Sequence, residues 1–380
     1  MDENENKLKG FLFMRVIAVV GIRSQYIKLY AIQKMLKQSK EFDNLDLICV
    51  DAGQHYDYEL AGGFINELGI TFEYKIHYNN KDPMHIFSEM LYELYKLLCE
   101  CNSKEKIDYV MCFGDANTTM ATAIAASKAG LKLVHVEAGL RLGNPHSPEE
   151  GNRIVADHLS RKLFVSNKAD LFNIEREGLM QKSYFSGDVI QDLVMQLDKD
   201  GELNIEPKYY NQKFYEYNRD DFVIASMHRK ENINDNCVVH LFESFKSVKH
   251  NILFLAHPSV IDLIDSFSYD KDKITVAHYI PYIDMLSCVK RCRYLITDSG
   301  AFQREAYYLK KNCLIRQDKA FWGHLVDIGA HLLTGKSTNE ICEGIEQMED
   351  KLKDDEYPYT DYFGEGQAVN CIFRVLMEDH

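Results

Sequence analysis

The stretch Val134-His135-Val136-Glu137-Ala138-Gly139-Leu140-Arg141, followed closely by Ser147-Pro148-Glu149-Glu150-Gly151-Asn152-Arg153, decides how this chain is read. An apolar run, Leu131 to Val136, predicts a buried strand that ends directly on Glu137. A buried carboxylate without a partner is costly. This one stands where open α/β sheets bind ligands, outside the carboxyl ends of the strands. The second stretch opens a helix with two carboxylates and an arginine. Glu149 and Arg153 are four apart and so share a helix face.

The same pattern extends outward in both directions. Upstream, Met14 to Val20 ends in Gly21-Ile22-Arg23, Leu47 to Val50 leads to Gly53-Gln54-His55, and Ile107 to Phe113 ends in Gly114-Asp115. Helical patterns run from Ile27 to Leu36 and from Thr118 to Lys128, and Lys162 to Val165 closes the first series of strands. Downstream, Phe222 to Ala225 leads to Ser226-Met227-His228-Arg229, Ile252 to Ala256 to His257-Pro258, and Ile274 to Ala277 to His278-Tyr279. Tyr294 to Thr297 leads to Asp298-Ser299-Gly300, and Cys313 to Ile315 to Arg316. Strands alternating with helices predict parallel sheets joined by right-handed crossovers. The expected fold class is α/β, with two Rossmann-like domains facing each other across a cleft. Residues 1–13 read as a polar, flexible segment, 14–198 as the first domain and 199–365 as the second. Residues 366–380 read as a helix that could return to the first domain.

With 380 residues, 46% hydrophobic and 27% charged, the composition is that of a globular protein large enough for two cores. A net charge of -14 argues against a nucleic-acid partner. No apolar stretch reaches the roughly 18 residues of a membrane span. The ten cysteines form no C-x-x-C pair and read as reduced thiols of a cytoplasmic protein. There is no G-x-G-x-x-G, no phosphate-loop lysine motif and no H-E-x-x-H, so neither a cofactor nor a metal is expected.

Each candidate has a bland alternative. Asp298-Ser299-Gly300 could cradle a phosphate at a helix start or simply cap it. Arg23, Lys28 and His228-Arg229-Lys230-Glu231-Asn232 could hold a diphosphate or be solvated charges. Asp115 could cap the helix after it, and Glu149 could be a helix-start acid favoured by the dipole.

Taken together, the residues resemble one family. The set is Gly21-x-Arg23, Lys28, Gly53-Gln54-His55, Gly114-Asp115, His135 to Arg141, Pro148-Glu149-Glu150-x-Asn152-Arg153, His228-Arg229-x-Glu231-Asn232 and Asp298-Ser299-Gly300-x-x-Gln303-x-Glu305. Its order and spacing are similar to the non-hydrolysing UDP-N-acetylglucosamine 2-epimerases over about residues 14 to 335. The resemblance implies a fold of the glycosyltransferase-B type and a UDP-sugar substrate. It also implies NAD-independent inversion at C2, by anti elimination of UDP and re-addition. It makes Asp115, Glu137 and Glu149 the acid/base carboxylates and His228 the group serving the leaving UDP. Arg23, Lys28, Arg153, His257, Ser299, Gly300 and Glu305 become substrate-binding positions, Glu305 for the ribose. A homodimer supplying surface polysaccharide is expected, with no nucleic-acid or membrane partner.

The chain departs from the family pattern in places. The family's G-T-R-P-E is Gly21-Ile22-Arg23-Ser24-Gln25, its D-S-G-G-I-Q-E-E is Asp298 to Glu305 with Ala301 and Arg304, and its T-E-R-P-E or T-E-W loop is Asp318 to His324. These changes leave open a modified sugar such as a diacetamido uronic acid, a hydrolysing epimerase releasing ManNAc, or a glycosyltransferase of the same fold.

Overall fold

The computed structural model describes residues 13–53, 63–78, 82–144, 146–204, 221–228, 232–233, 235–277, 280–353 and 356–379. The positions Gln54-His55, Arg229-Lys230-Glu231 and His278-Tyr279, together with residues 1–12, lie outside them. The chain divides into two units. One comprises the residues up to Leu193 with those from Asp361 onward, and the other is Val194–Thr360.

The first unit is a parallel sheet of seven strands. They are β1 (Met14–Val20), β2 (Leu45–Asp51), β3 (Tyr74–Lys75), β4 (Tyr109–Phe113), β5 (Leu133–Val136), β6 (Lys162–Val165) and β7 (Ser183–Phe185), in the order β3-β2-β1-β4-β5-β6-β7. β1, β4, β5 and β6 are buried almost throughout, which is why they read as mostly apolar runs rather than alternating ones. Among the described residues, α1 (Arg23–Gln38), α2 (Gly63–Leu68), α3 (Pro83–Lys104), α4 (Asn117–Lys128), α5 (Pro148–Leu159) and α6 (Leu171–Arg176) follow the strands, and α7 (Val189–Lys199) runs across the boundary into the second unit. α4 packs against both α3 and α5. Its buried face is small, with Ala121, Ala123, Ala125 and Ala126, so the neighbouring helix axes come close. That draws α5, with its acidic start, in beside the exits of β4 and β5.

The second unit is a six-stranded parallel sheet. Its strands are β8 (Phe222–Met227), β9 (Asn251–Ala256), β10 (Ile274–Ala277), β11 (Tyr294–Thr297), β12 (Asn312–Arg316) and β13 (Leu332–Thr334), in the order β10-β9-β8-β11-β12-β13. Both units are therefore Rossmann-like, as the alternation of strands and helices predicts. β3, β7 and β13 were not among the predicted strands. All three are edge strands of two or three residues, mostly half-exposed, so no apolar run marks them. Among the described residues no helix is long and apolar enough to cross a membrane.

The C-terminal helix, Ala368–Met377, belongs to the first unit. Phe373 packs on Phe42 at 5.9 Å between ring centroids, and Arg374 pairs with Glu41. Its first amides, Ala368 N and Val369 N, donate to Asp192 at 3.0 and 2.8 Å. Burial pushes the Asp192 carboxyl up, to about 6 from 3.8, although those two amides hold it down. Across that interval the unfolded chain ionises while the folded one keeps its proton, so this group lowers stability as pH rises from about 4 to about 6. Compared with Asp192→Asn, the wild-type melting temperature should fall over that window and the difference should level off above it. A flat difference would show that Asp192 does not titrate there.

Candidate active site

In each sheet the strand order reverses between two neighbours, β1 and β4 in the first and β8 and β11 in the second. Helices leave such neighbours on opposite faces of the sheet, which opens a crevice at the strand ends. The predicted site residues gather at these two places, one in each unit.

In the first unit, Gln25 joins the two exits. Its Oε1 accepts from Gly21 N at 2.9 Å, and its Nε2 donates to Phe113 O at 2.8 Å and Thr119 Oγ1 at 3.0 Å. Glutamine replaces the last glutamate of the family's G-T-R-P-E, and its amide donates where a carboxylate could not. Three positions on, Lys28 is buried and places Nζ 2.5 Å from Glu137 Oε2, so the carboxylate at the end of β5 has a cation partner. Glu137 has φ +69°, a left-handed conformation unusual for a residue with a side chain. Strain of this kind persists only where the surroundings enforce it, and it gathers at functional sites. Gly114, with φ +61°, lies under the lysine: a Cβ there would come within 3.3 Å of Nζ. Arg23 is exposed, with its guanidinium 5.2 Å over the Phe64 ring.

Asp115 does not cap α4; that position falls to Ala116, with no side-chain hydrogen bond. Its carboxylate pairs with Arg153, and its carbonyl accepts from Asn152 Nδ2 at 2.9 Å. Glu149 and Arg153 do share a face, but the direct contact with Arg153 Nη1 is made by Glu150, at 3.0 Å. Glu150 also accepts from the Leu142 and Gly143 amides at 3.1 Å each, which makes it a loop anchor. Glu149 is exposed. The Ser147 hydroxyl donates to it and holds its carboxyl below the ordinary value, with a smaller contribution from Arg153. Glu137, Asp115 and Glu149 thus come from three elements, and two of the three carry a cation partner. Sequence reading quoted Gln25 and Glu150 without giving either a role, and it missed Asp157. The signal for the last two lay in α5, where Glu150, Arg153 and Asp157 recur at three and four residues and are all buried.

In the second unit, Asp298 is buried. It accepts from His228 N at 2.8 Å and Asn232 Nδ2 at 2.7 Å, which fixes the His228 backbone. The half-buried His228 ring lies 5.7 Å from Phe302 and 6.0 Å from His257. Ser299 caps the helix Gly300–Tyr308 through a long bond, 3.4 Å from Phe302 N. As at any helix start, its first amides have no acceptor within the helix, which is what lets such an end bind an anion. Glu305, in the same helix, is buried, and its Oε1 accepts from Tyr282 OH at 2.9 Å. The segment that departs from the family pattern packs on this helix. Phe321 lies where a Cβ on Gly300 would come within 3.1 Å of its ring, Trp322 Nε1 donates to Gly300 O at 2.9 Å, and the Arg304 guanidinium stacks 4.9 Å over Trp322. Among the described residues no group of three or more His, Cys, Asp or Glu is arranged to hold a metal ion.

Residues 36–377 match the sequence profile of the family described as UDP-N-acetylglucosamine 2-epimerase. A protein of Methanococcus maripaludis named UDP-N-acetylglucosamine 2-epimerase homolog is 30% identical over 380 residues, spanning 96% of this chain and 99% of that protein. The UDP-2,3-diacetamido-2,3-dideoxy-D-glucuronate 2-epimerase of Pseudomonas aeruginosa is 29% identical over 371 residues, with the same coverage of 96% and 99%. The crystal structure of Methanocaldococcus jannaschii UDP-GlcNAc 2-epimerase in complex with UDP-GlcNAc and UDP superposes with a TM-score of 0.79 at 28% identity, covering 96% of this chain and 100% of that one.

Proposed function

The chain belongs to the UDP-N-acetylglucosamine 2-epimerase family, and from that premise we propose that it interconverts UDP-GlcNAc and UDP-ManNAc by anti elimination of UDP and re-addition. The observation that carries this reading is Glu137: a strained, largely buried carboxylate paired with Lys28 at a strand exit, beside the exit that bears Asp115. A transferase moving the sugar to an acceptor needs no acid/base pair at C2.

On this reading one of Asp115, Glu137 and Glu149 removes the C2 proton. The C2–H electron pair becomes a C1=C2 double bond, and the C1–O bond breaks with its pair leaving on UDP. A second carboxylate returns a proton to the opposite face of C2 as UDP adds back, which inverts that centre. His228 protonates or stabilises the departing diphosphate. Arg23, Lys28, Arg153, His257, Ser299 and Gly300 bind the nucleotide sugar, and Glu305 takes the ribose hydroxyls. No NAD or metal takes part. The enzyme works as a homodimer in the cytoplasm and supplies surface polysaccharide; its ten free thiols accord with a reducing compartment.

A diacetamido uronic acid nucleotide is the second reading, favoured by the 29% identity to the P. aeruginosa enzyme. The test is incubation of the protein with UDP-GlcNAc in D₂O, without NAD or metal, followed by NMR. Deuterium should enter at C2 and UDP-ManNAc should accumulate. Exchange only with the uronate would select the second reading. No exchange with either sugar would overturn the epimerase assignment.

A further inference from the structure

We infer that His135 and Asp157 are positioning residues that hold Glu137 and Asp115 in register with each other, an inference that rests on the epimerase reading. Both side chains are fully buried, so neither touches substrate. His135 Nδ1 lies 2.7 Å from Asp157 Oδ1, and His135 Nε2 lies 2.8 Å from Gly114 O, the carbonyl just before Asp115. Both ring nitrogens thus face an oxygen, one a carboxylate and the other a backbone carbonyl. The other oxygen, Asp157 Oδ2, accepts from Gly139 N at 3.2 Å and from Arg141 Nη2 at 2.7 Å. Arg141 is locked in turn by Glu177, at 2.7 and 2.8 Å.

One carboxylate on α5 therefore grips the chain two residues before Glu137, two after it and four after it. Through the His135 ring it also fixes the peptide that carries Asp115. This network supplies what the φ of +69° at Glu137 requires, since a strained residue persists only if its flanks are tied down. Burial pushes the Asp157 carboxyl up, but the charges of His135 and Arg141 outweigh it and hold the group below its ordinary value. Arg141 pairs with both Asp157 and Glu177, so the buried Asp157 carboxylate is not left without a cation. Proton transfer depends steeply on geometry, and a displacement of about 1 Å can cost roughly 10²-fold in rate.

His135→Asn and His135→Gln each keep half of the network. Asparagine presents its amide nitrogen near the Nδ1 place, toward Asp157, and glutamine near the Nε2 place, toward Gly114 O. Each should lower kcat by about 10- to 100-fold, with KM for the UDP-sugar and the calorimetric affinity for UDP held within about threefold. Hydrogen exchange read by mass spectrometry should quicken at residues 114–119 in the asparagine variant and at 137–141 in the glutamine variant. Asp157→Asn should quicken both segments and lower kcat at least as much. Unchanged kcat in folded variants would overturn the inference. So would UDP affinity falling in step with kcat, or exchange quickening across the whole unit, because either marks a general fold staple. If the wild type moves no C2 proton on any sugar, the epimerase reading fails, and the exchange pattern alone decides whether these residues hold the two strand exits.

Discussion

Glu137→Gln should give a folded protein that still binds UDP and turns over about 10²- to 10⁴-fold more slowly, the usual contribution of a general acid or base. Glutamine keeps the size and most of the hydrogen-bonding capacity of the carboxylate but exchanges no proton near neutral pH. The substitution also strands Lys28, whose side chain is only 4% exposed. Breaking one side of a buried pair costs about 3–5 kcal/mol, so the variant should melt earlier than the wild type. The double variant Glu137→Gln with Lys28→Met removes the stranded charge. It should recover much of the lost stability and none of the turnover. Lys28 is itself a proposed contact to the nucleotide sugar, so Lys28→Met alone is the control: a catalytic Glu137 requires the double variant to turn over far more slowly than that single variant. Recovery of activity along with stability would mean that the pair matters only for folding.

The second large effect is expected at Asp115. Asp115→Asn should lose turnover by a similar factor, about 10²- to 10⁴-fold. Asp115 caps no helix, and the buried Arg153 keeps Glu150 as a partner, so the loss should come with only a modest change in melting temperature. Combined with Glu137→Gln, the two losses should not multiply, since groups that serve one elimination act as a unit. Steady-state kcat for the two single variants and the double variant measures this directly. Losses that multiply would place the two residues in separate steps. Glu149→Gln is the sharper discriminator for the third carboxylate. Glu149 is exposed and held ionised by Ser147, as a resting base should be, yet it also stands in the first turn of α5. An early melt with normal turnover would make it a helix-start acid and leave two carboxylates for the chemistry.

The central strands were legible because they are buried on both faces, so β1, β4, β5, β6, β8 and β11 appear as mostly apolar runs without a period-two alternation. The polar residues at their ends stood out against those runs. Each had a bland alternative when taken alone, and it was the resemblance to the family that singled out Glu137, Asp115, His228 and Ser299 among them. The edge strands could not be chosen this way. With two or three half-exposed residues, β3, β7 and β13 exist because a neighbouring strand offers a ladder, not because of their own pattern.

The partners of the chosen residues were beyond the sequence too. Lys28 and Glu137 are more than a hundred residues apart, and only the packing of α1 beside the β5 exit makes them a pair. Helical spacing put Glu149 and Arg153 on one face; tertiary packing turned Glu150 inward to meet the arginine and left Glu149 to Ser147 and solvent. The sequence by itself determined two parallel α/β sheets and the strand ends at which polar residues collect, because local burial writes itself into a run of apolar residues. Only the tertiary structure decided which charges are neutralised, which carboxylate is strained and which buried groups hold it. Those outcomes depend on distances between residues far apart in the chain, and no local pattern encodes them.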